Sequence, residues 1–323
     1  MRHVEAPSTE QLEAATRVIA DHLVATPTVT LRLRGRPVLA KLECLQITGS
    51  FKIRGALAAI DAAHRDDPHG AVITSSAGNH GLGIAHAASI LHVPATVVVP
   101  ANASAAKVRK LRNYDIELIQ FGLSYDEAQA HALELADARS IRYISPFNDT
   151  NVIAGQVTVF HEMLTQAPEI EHVVVPVGGG GLVSGVLLAR AAHARLDVRV
   201  TGVQPEASAA MYHVLRGTAM DDVRHRPTIA DGLAGGGDAG AVTNGLIATH
   251  EVPLVLVDEH MIRQGVREAA ESNGVVLEGS AATPYAAIVR GLVGDEDSRI
   301  GFIASGRNIS HELLVELLGE PLD

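Results

Sequence analysis

Apolar and polar positions along this chain follow two patterns, one typical of amphipathic helices and one typical of buried strands. The first helix is predicted to begin at Ser8, because Ser8 and Gln11 have capping-box spacing, and it ends at Thr26-Pro27. Further helices are predicted, beyond the one that opens near residue 51, at 80–91, 103–111, 125–139, 152–164, 182–192, 261–272 and 281–292. Short apolar runs predict strands at 37–42, 71–74, 95–99, 116–119, 173–175, 198–203, 254–257 and 300–304.

Continuous apolar strands between amphipathic helices are typical of parallel sheets that are covered by helices on both faces. The pattern occurs in two series, which predicts an α/β protein with two lobes and a cleft between them. No repeat, low-complexity segment or long linker interrupts either series. The glycine-rich stretch at 232–240 is interpreted as a loop beside an active site rather than as a domain boundary.

Composition narrows the class of protein. The 323 residues allow one large or two modest domains, and the formal net charge of −11 argues against nucleic-acid binding. Cys44 is the single cysteine, which excludes an intramolecular disulfide and a multi-cysteine metal site. Neither a membrane-spanning apolar run nor a signal-peptide core is found, so a soluble cytoplasmic enzyme without a membrane partner is expected.

Lys52 lies where the helix after strand 37–42 is predicted to begin. A lysine in the first turn is close to the positive end of the helix dipole, which lowers its pKa. A neutral amine is what Schiff-base chemistry requires, since only that form attacks a carbonyl. Taken alone, the position favours the other interpretation, because roughly nine in ten such lysines are solvated surface residues.

Four consecutive glycines, 178–181, connect a predicted strand to a predicted helix. Such a loop lets backbone N–H groups converge on an anion at the helix N-terminus, and phosphate is the ligand we expect. A dinucleotide fingerprint has a different glycine spacing, and Gln204 stands where an acidic residue would hold a ribose.

Three further polar segments follow or flank predicted strands. The turn 75–81, with Ser75, Ser76, Asn79 and His80, either holds an anionic group or caps a helix through Ser76 or Asn79. Ser305 to Asn308 follow the last predicted strand, where open α/β sheets bind ligands. Glu278 is either a buried functional carboxylate or a helix cap. The sixteen histidines show no ligand spacing with an acidic partner, so no metal site is predicted.

An amine, a phosphate loop, a donor-rich turn and a serine at a strand end together indicate pyridoxal phosphate. At these residues the chain resembles the serine/threonine dehydratases among the fold-type-II pyridoxal-phosphate enzymes, over nearly its whole length. The segments that carry the resemblance are 49–56, 75–80, 152–156, 178–181, 229–232 and 305–308.

The resemblance implies a two-lobed α/β fold like that of tryptophan synthase β, with the cofactor in the cleft between lobes. It implies a large cofactor-binding domain of residues 1–47 and 149–323 and a small domain of residues 48–148. It also implies the roles of the site residues. Lys52 carries the cofactor as a Schiff base and acts as a base, while Phe51, Asn79, Gly178, Gly179, Gly180, Gly181, Glu278 and Ser305 contact the cofactor. Ser75, Ser76, Asn79, His80 and Asp231 face the amino-acid substrate, and Ser76 and His80 are also candidate catalytic residues.

The activity implied is β-elimination from a β-hydroxy amino acid such as L-threonine or L-serine, which gives a 2-oxo acid and ammonia. A dehydratase for 3-hydroxyaspartate, phenylserine or a hydroxyectoine-pathway substrate, or a β-replacement enzyme like threonine synthase, remains an alternative. A homodimer is expected from the same resemblance.

The sequence departs from the family pattern in three respects. Ala77 stands where the related racemases have a serine, so weak racemisation is expected. Gln204, Ser208 and Ala210 occupy the positions of a divalent-cation site and offer no charge to a cation. Arg307 stands where many dehydratases have glycine, which leaves the substrate open. The chain ends soon after Ser305, so no regulatory domain is expected after it.

Overall fold

The structure, a computed structural model, describes residues 4–76, 78–103, 105–235, 237–294 and 298–320. These residues form ten β-strands and twelve α-helices. The strands are β1 Thr28–Leu33, β2 Arg36–Lys41, β3 Val72–Ser75, β4 Ala95–Val99, β5 Glu117–Gln120, β6 Arg142–Tyr143, β7 His172–Pro176, β8 Arg199–Pro205, β9 Leu254–Val257 and β10 Ile300–Ile303. The helices are α1 Thr9–His22, α2 Lys52–Asp66, α3 Asn79–Leu91, α4 Ala105–Leu111, α5 Tyr125–Arg139, α6 Thr150–Gln166, α7 Gly181–Ala192, α8 Ala210–Val214, α9 Val242–Thr249, α10 Glu259–Asn273, α11 Gly279–Val289 and α12 His311–Leu318.

Two sheets organise the fold. The larger sheet has six strands in the order β1-β2-β10-β7-β8-β9, and the smaller sheet has four in the order β5-β4-β3-β6. Every pair of neighbouring strands is parallel except β1 with β2, which form an antiparallel hairpin. We call the parts of the chain around the six-stranded and the four-stranded sheet the large lobe and the small lobe. The predicted α/β class with two helix-covered sheets is confirmed.

The central strands are fully buried, which explains why their sequences are continuous apolar runs. All residues of β4, β7 and β10 are buried, as a strand covered by helices on both faces requires. The first helix is capped as predicted, since Ser8 Oγ accepts from the Gln11 N–H and the Gln11 side chain accepts from the Ser8 N–H.

Several short elements were not predicted. Polar and apolar residues alternate along strand β1, with Thr30 and Arg32 exposed and Leu33 buried, so it has no continuous apolar run. Strand β6 contains only two residues, too few to produce a pattern. Helices α8, α9 and α12 have five to eight residues each and were also missed.

The candidate segments come together because they follow the carboxyl ends of parallel strands. The glycine loop follows β7, Ser305 follows β10, and Ser76 follows β3 of the small lobe. Because these strands are parallel to their neighbours, the loops at their carboxyl ends lie on the side of each sheet where α/β proteins bind ligands. The domain boundaries at residues 48 and 149 remain a prediction.

Candidate active site

A cleft of about 340 Å³ is lined by both lobes. From the small lobe it receives Lys52, two lysines of α4 and four residues of the turn after β3, Ser76, Gly78, Asn79 and His80. From the large lobe it receives the glycine loop, the segment 231–235 and Ser305. The segments that the sequence singled out therefore share one cavity.

Lys52 is the first residue of α2, and its amine lies inside this cleft. The Nζ atom donates to the Pro146 carbonyl at 2.8 Å and lies 5.3 Å from the centre of the Phe51 ring. Burial lowers the pKa of Lys52 to about 8, and the nearby Glu278 carboxylate opposes that shift. A lowered pKa was expected from the helix dipole, whereas in the structure loss of hydration on burial lowers it.

The glycine loop leaves no room for side chains. A Cβ atom at Gly179 would lie 2.3 Å from the Phe147 ring, and one at Gly180 would lie 2.9 Å from Thr243. Gly180 also has a left-handed backbone, with φ of +85°. The loop ends at the N-terminus of α7, a helix of 12 residues, where free N–H groups favour an anion.

The turn after β3 supplies polar groups but does not cap α3 through a side chain. Gly78 is the N-cap residue, and Ser76 Oγ accepts from the Gly78 N–H at 3.2 Å within the turn. The cap interpretation of Ser76 and Asn79 is therefore wrong. Ser76, Asn79 and His80 line the cleft.

Ser75 is placed differently from its neighbours in the turn. Its side chain is buried, and its Oγ lies 2.9 Å from the Tyr143 hydroxyl, on the α5 side of the strand. The structure does not place Ser75 among the residues that line the cleft. Its contact with a substrate stays a prediction that this geometry does not favour.

His80 is buried beside Lys52. Burial, followed by the positive charge of Lys52, lowers the pKa of His80 to about 3. The imidazole is therefore neutral at physiological pH and cannot serve there as a proton donor in the manner of an imidazolium.

A hydrogen-bonded group of three side chains joins the two lobes at the inner wall of the cleft. Asn79 donates to Glu278 Oε1 at 2.6 Å, and Asn308 donates to Asn79 Oδ1 at 2.7 Å. The Asn308 N–H donates to Glu278 Oε2 at 3.1 Å. Burial, and secondly the negative charge of Asp231, raises the pKa of Glu278 to about 7. Glu278 occupies the N-cap position of α11, but its side chain makes no capping hydrogen bond.

At the mouth of the cleft, α4 of the small lobe contacts the large lobe through two lysines. Lys107 forms an ion pair with Asp231, which is more than half exposed. Lys110 donates to Asn308 Oδ1 at 3.1 Å. Asp231 therefore lies at the entrance of the cleft, and in this structure its carboxylate is bound to Lys107.

Ser305 is 3% exposed and lies next to the entry of α2. Its carbonyl accepts from the Phe51 N–H at 3.0 Å, and Ser50 and Gly306 form a β-bridge. This contact fixes the position of Phe51 and Lys52 relative to the end of β10, although about 250 residues separate them in sequence.

Arg307, Gln204 and Ser208 are among the residues that depart from the family pattern. Arg307 is exposed and does not line the cleft. Gln204 Oε1 accepts from the Tyr212 N–H at 2.7 Å, and Ser208 Oγ lies 2.7 Å from His225 Nδ1. Ala77 lies outside the described residues. Within the described ranges, no three His, Cys, Asp or Glu residues are placed to hold a metal ion.

Sequence reasoning missed several residues of the cleft. Tyr125, Pro146, Phe147, Lys107, Lys110 and Leu233 all line it. The first five belong to the small lobe or to its connection to the large lobe, and none of them is part of a spaced motif. Only the segment 231–235 had a signal, since the glycine-rich stretch that follows Asp231 was interpreted as an active-site loop.

The residues present fit pyridoxal phosphate. The glycine loop packs so closely on Phe147 that Gly179 has no room for a Cβ atom, and the loop ends at a helix N-terminus suited to a phosphate. A lysine amine with a lowered pKa faces the same cavity, as does a buried serine at the end of β10. This is the donor set that an aldehyde, a phosphate and a ring nitrogen require.

Comparison with known proteins supports this fit. Residues 19–306 match the family described as "Pyridoxal-phosphate dependent enzyme". The chain is 36% identical over 299 residues to an L-threonine ammonia-lyase of Thermotoga maritima, covering 93% of this chain and 74% of the relative. It is 31% identical over 325 residues to a serine racemase of Oryza sativa, covering 98% of this chain and 95% of the relative.

Solved structures show the same fold. A threonine deaminase from T.th. superposes with a TM-score of 0.84 and 32% identity, covering 94% of this chain and 99% of the other. A maize serine racemase superposes with a TM-score of 0.87 and 29% identity, covering 97% of each chain. Among the described residues, no helix is long and apolar enough to cross a membrane. The resemblance found from the sequence is confirmed, and the chain belongs to the pyridoxal-phosphate-dependent enzymes of fold type II.

Proposed function

We propose that this protein is a pyridoxal-phosphate-dependent ammonia-lyase that acts on a small β-hydroxy amino acid such as L-threonine or L-serine. The products are a 2-oxo acid and ammonia. The observation that carries the proposal is the Lys52 amine, which faces the same cleft as the glycine loop and Ser305.

The cofactor would be held by residues from both lobes. Lys52 would bind it covalently, residues 178–181 would bind its phosphate, and Ser305 would bond its ring nitrogen. Phe51 would lie beside the ring, and Asn79, held by Glu278, would bond the ring hydroxyl. When bound, pyridoxal phosphate supplies an electron sink for the negative charge that develops at the substrate Cα.

Lys52 supplies the base. With a pKa of about 8, roughly half of the amine is neutral at pH 8, against about 0.3% for a lysine with the ordinary pKa of 10.5. Once the substrate amine had replaced it on the cofactor, the neutral Nζ would take the Cα proton, and the Lys52 ammonium so formed would return a proton to the β-hydroxyl, which would leave as water. Hydrolysis of the resulting enamine in water gives the 2-oxo acid and ammonia.

The substrate carboxylate would bind at the turn of Ser76, Asn79 and His80, with Ser75 as the less favoured candidate. Neutral His80 would orient the substrate rather than transfer a proton, because its pKa is about 3. Asp231 and Lys107 close the entrance above this turn.

The serine racemase relatives make racemisation the second candidate activity. Racemisation requires a second acid/base on the far face of the cofactor, and Ala77, the residue of this chain at that position, cannot carry a proton. We therefore expect elimination to exceed racemisation with every substrate.

Release of a 2-oxo acid tests the proposal. Purified protein with added pyridoxal phosphate is assayed with threonine, serine, 3-hydroxyaspartate and phenylserine, and each D-isomer is measured in parallel. We expect 2-oxo acid from at least one substrate and none with Lys52→Ala. Activity that survives Lys52→Ala contradicts the proposal, as does product formation only with an added nucleophile.

Three further features are proposed on the same basis. The chain acts as a homodimer, it works in the cytoplasm, and its small domain spans residues 48–148. Sedimentation of the holoenzyme tests the first, and limited proteolysis near residues 48 and 148 tests the last.

A further inference from the structure

Behind the cleft, on the far side of α2, four charged side chains are buried together. Lys41, Glu43 and Arg54 have side chains that are 0% exposed, and the side chain of Glu162 is 17% exposed. They come from β2, the turn after it, α2 and α6. None of them lines the cleft, so the proposed reaction does not use them directly.

Arg54 is at the centre of this group. Its Nε and Nη2 atoms donate to both oxygens of Glu43 at 2.8 Å each. Its Nη1 and Nη2 atoms donate to both oxygens of Glu162 at 2.7 Å each, and Nη1 also donates to Thr158 Oγ1 at 3.1 Å. One planar guanidinium therefore binds two carboxylates in bidentate fashion, a geometry that a lysine cannot reproduce.

Lys41 completes the charge balance. Its Nζ donates to Glu162 Oε2 and to the Thr26 carbonyl, each at 2.6 Å. Thr26 in turn donates to Glu43 Oε1 at 2.5 Å. The two cations and two carboxylates are thus fully paired and hydrogen bonded.

Stability alone does not explain such a group. Moving charged groups out of water costs hydration free energy, and the attraction between the charges rarely exceeds that cost. Well-packed apolar residues of similar volume therefore stabilise a fold equally well. Directional ion pairs fix geometry instead, because rotation or translation of one partner breaks several bonds at once. These four buried side chains therefore fix the position of α2.

The helix that it holds is the one that begins with Lys52. Residues 52 and 54 are about 200° apart around the helix axis, so the amine faces the cleft while the guanidinium faces β2 and α6. Helix α6 approaches closely at the same place: a Cβ atom at Gly155 would lie 2.5 Å from the Arg54 carbonyl. On another side, a Cβ atom at Gly83 of α3 would lie 3.1 Å from the Lys52 carbonyl.

We infer that Arg54 is a positioning residue, which acts through α2 to hold the Lys52 amine at the distance from Ser305 and the glycine loop that the reaction requires. The inference rests on the proposed function, in which Lys52 binds the cofactor and removes the Cα proton. Glu43 and Glu162 hold Arg54 in place. Lys41, which belongs to the same group of ion pairs, lies on β2, and β2 pairs directly with β10, the strand that leads to Ser305.

Arg54→Lys tests this role in the holoenzyme, because it keeps the charge and removes the double fork. We expect kcat to fall by about 10- to 100-fold, as misplacement of a reacting group by about 1 Å produces, while KM changes less than about twofold. We also expect the pH midpoint of the bound-cofactor absorbance band to move by about half a unit or more, since the environment of the Lys52 amine changes.

Two matched variants separate position from stability. Arg65→Lys changes an arginine of the same helix that forms an exposed ion pair with Asp61, and it should leave both readouts unchanged. Val173→Ala removes two methyl groups from a fully buried strand residue of the large lobe and lowers stability without touching α2. If Arg54→Lys does not fold, Thr158→Val decides the question, with an expected fall in kcat of about 2- to 10-fold from two lost hydrogen bonds, one accepted from Arg54 and one donated to the Gly155 carbonyl.

The outcomes separate the positioning role of Arg54 from the proposed reaction. An unchanged midpoint in Arg54→Lys, or an equal loss of kcat in Val173→Ala, overturns the positioning role. A wild-type protein that shows the absorbance band but releases no 2-oxo acid overturns the proposed reaction, while the midpoint still tests Arg54. A wild-type protein without any band overturns both.

Discussion

Glu278 gives a pH dependence of stability that can be worked out from the structure. The carboxyl is buried between Asn79 and Asn308, and its pKa is raised from 4.5 to about 7. Between these two values the folded state holds a proton that the unfolded state has lost. Stability therefore falls as pH rises through this window, which is opposite to the effect of a salt-bridged carboxylate.

The size of the effect follows from the shift. A difference of about 2.5 pKa units corresponds to about 3 kcal/mol of unfolding free energy. Glu278→Gln should remove this pH-dependent part, because an amide does not titrate. The variant also loses an acceptor for the Asn308 N–H, so we expect it to be less stable at pH 4.5 by about 1–2 kcal/mol.

The assay is urea unfolding of the cofactor-free protein at half-unit steps from pH 4.5 to 7.5. In the wild type, the pKa of Lys52 in the folded state, about 8, lies above this range. The quantity to compare is the difference in unfolding free energy between wild type and Glu278→Gln, which removes contributions from groups that do not interact with Glu278.

Asp231→Asn is the matched control. Asp231 raises the pKa of Glu278, so its removal should lower that pKa, move the fall in stability to lower pH and make it smaller. If the difference between wild type and Glu278→Gln does not vary with pH, or varies in the opposite direction, the account of this carboxyl is wrong.

Three further predictions concern the cradle, the amine and the helix contact. Gly179→Ala places a methyl group 2.3 Å from the Phe147 ring, so cofactor affinity should fall at least about tenfold in a fluorescence titration; equal affinity contradicts the cradle. Because the pKa of Lys52 is lowered in the folded state, stability of the cofactor-free protein should rise between pH 8 and 10.5, and Lys52→Met should abolish that rise in urea unfolding. Gly155→Ala forces apart two helices whose backbones meet at Gly55, so unfolding free energy should fall by about 1–3 kcal/mol, and an unchanged value refutes the close contact.

The sequence allowed the central elements to be predicted because burial on both faces leaves a plain signal. Strand β4 was predicted with its observed bounds, Ala95–Val99, and so was helix α5, Tyr125–Arg139. Strand β9, Leu254–Val257, lies at the other edge of the large sheet and was also predicted with its observed bounds, because all four of its residues are apolar. Edge strand β1 was missed because polar and apolar residues alternate along it, so its apolar residues do not form a run. A continuous apolar run, rather than a central place in the sheet, is what made a strand predictable.

The local parts of the site were also predictable. The glycine loop and Lys52 each have a physical reason that can be stated from a few neighbouring residues. The hydrogen bonds of Asn79 with Glu278 and Asn308 join residues 199 and 229 positions apart, and no local pattern contains that information. The same holds for Arg54, which a single sequence shows only as one more charged residue in a helix.

The lowered pKa of Lys52 shows how a correct expectation can rest on an incomplete cause. The helix dipole was the only cause visible in the sequence, whereas in the structure burial in a cleft made by distant segments lowers the pKa. Burial of a charged group is a property of the folded chain, so it can be assigned only from the structure.

The central claim is that Lys52 binds the cofactor. The chain has four lysines, and three of them, Lys52, Lys107 and Lys110, line the same cleft. Each of these three is near enough to the site to be tested as the residue that binds the cofactor. Borohydride reduction of the holoenzyme followed by peptide mass mapping identifies the modified residue. The account predicts a phosphopyridoxyl group on Lys52 and on no other lysine; modification at Lys107 or Lys110, or none, contradicts it.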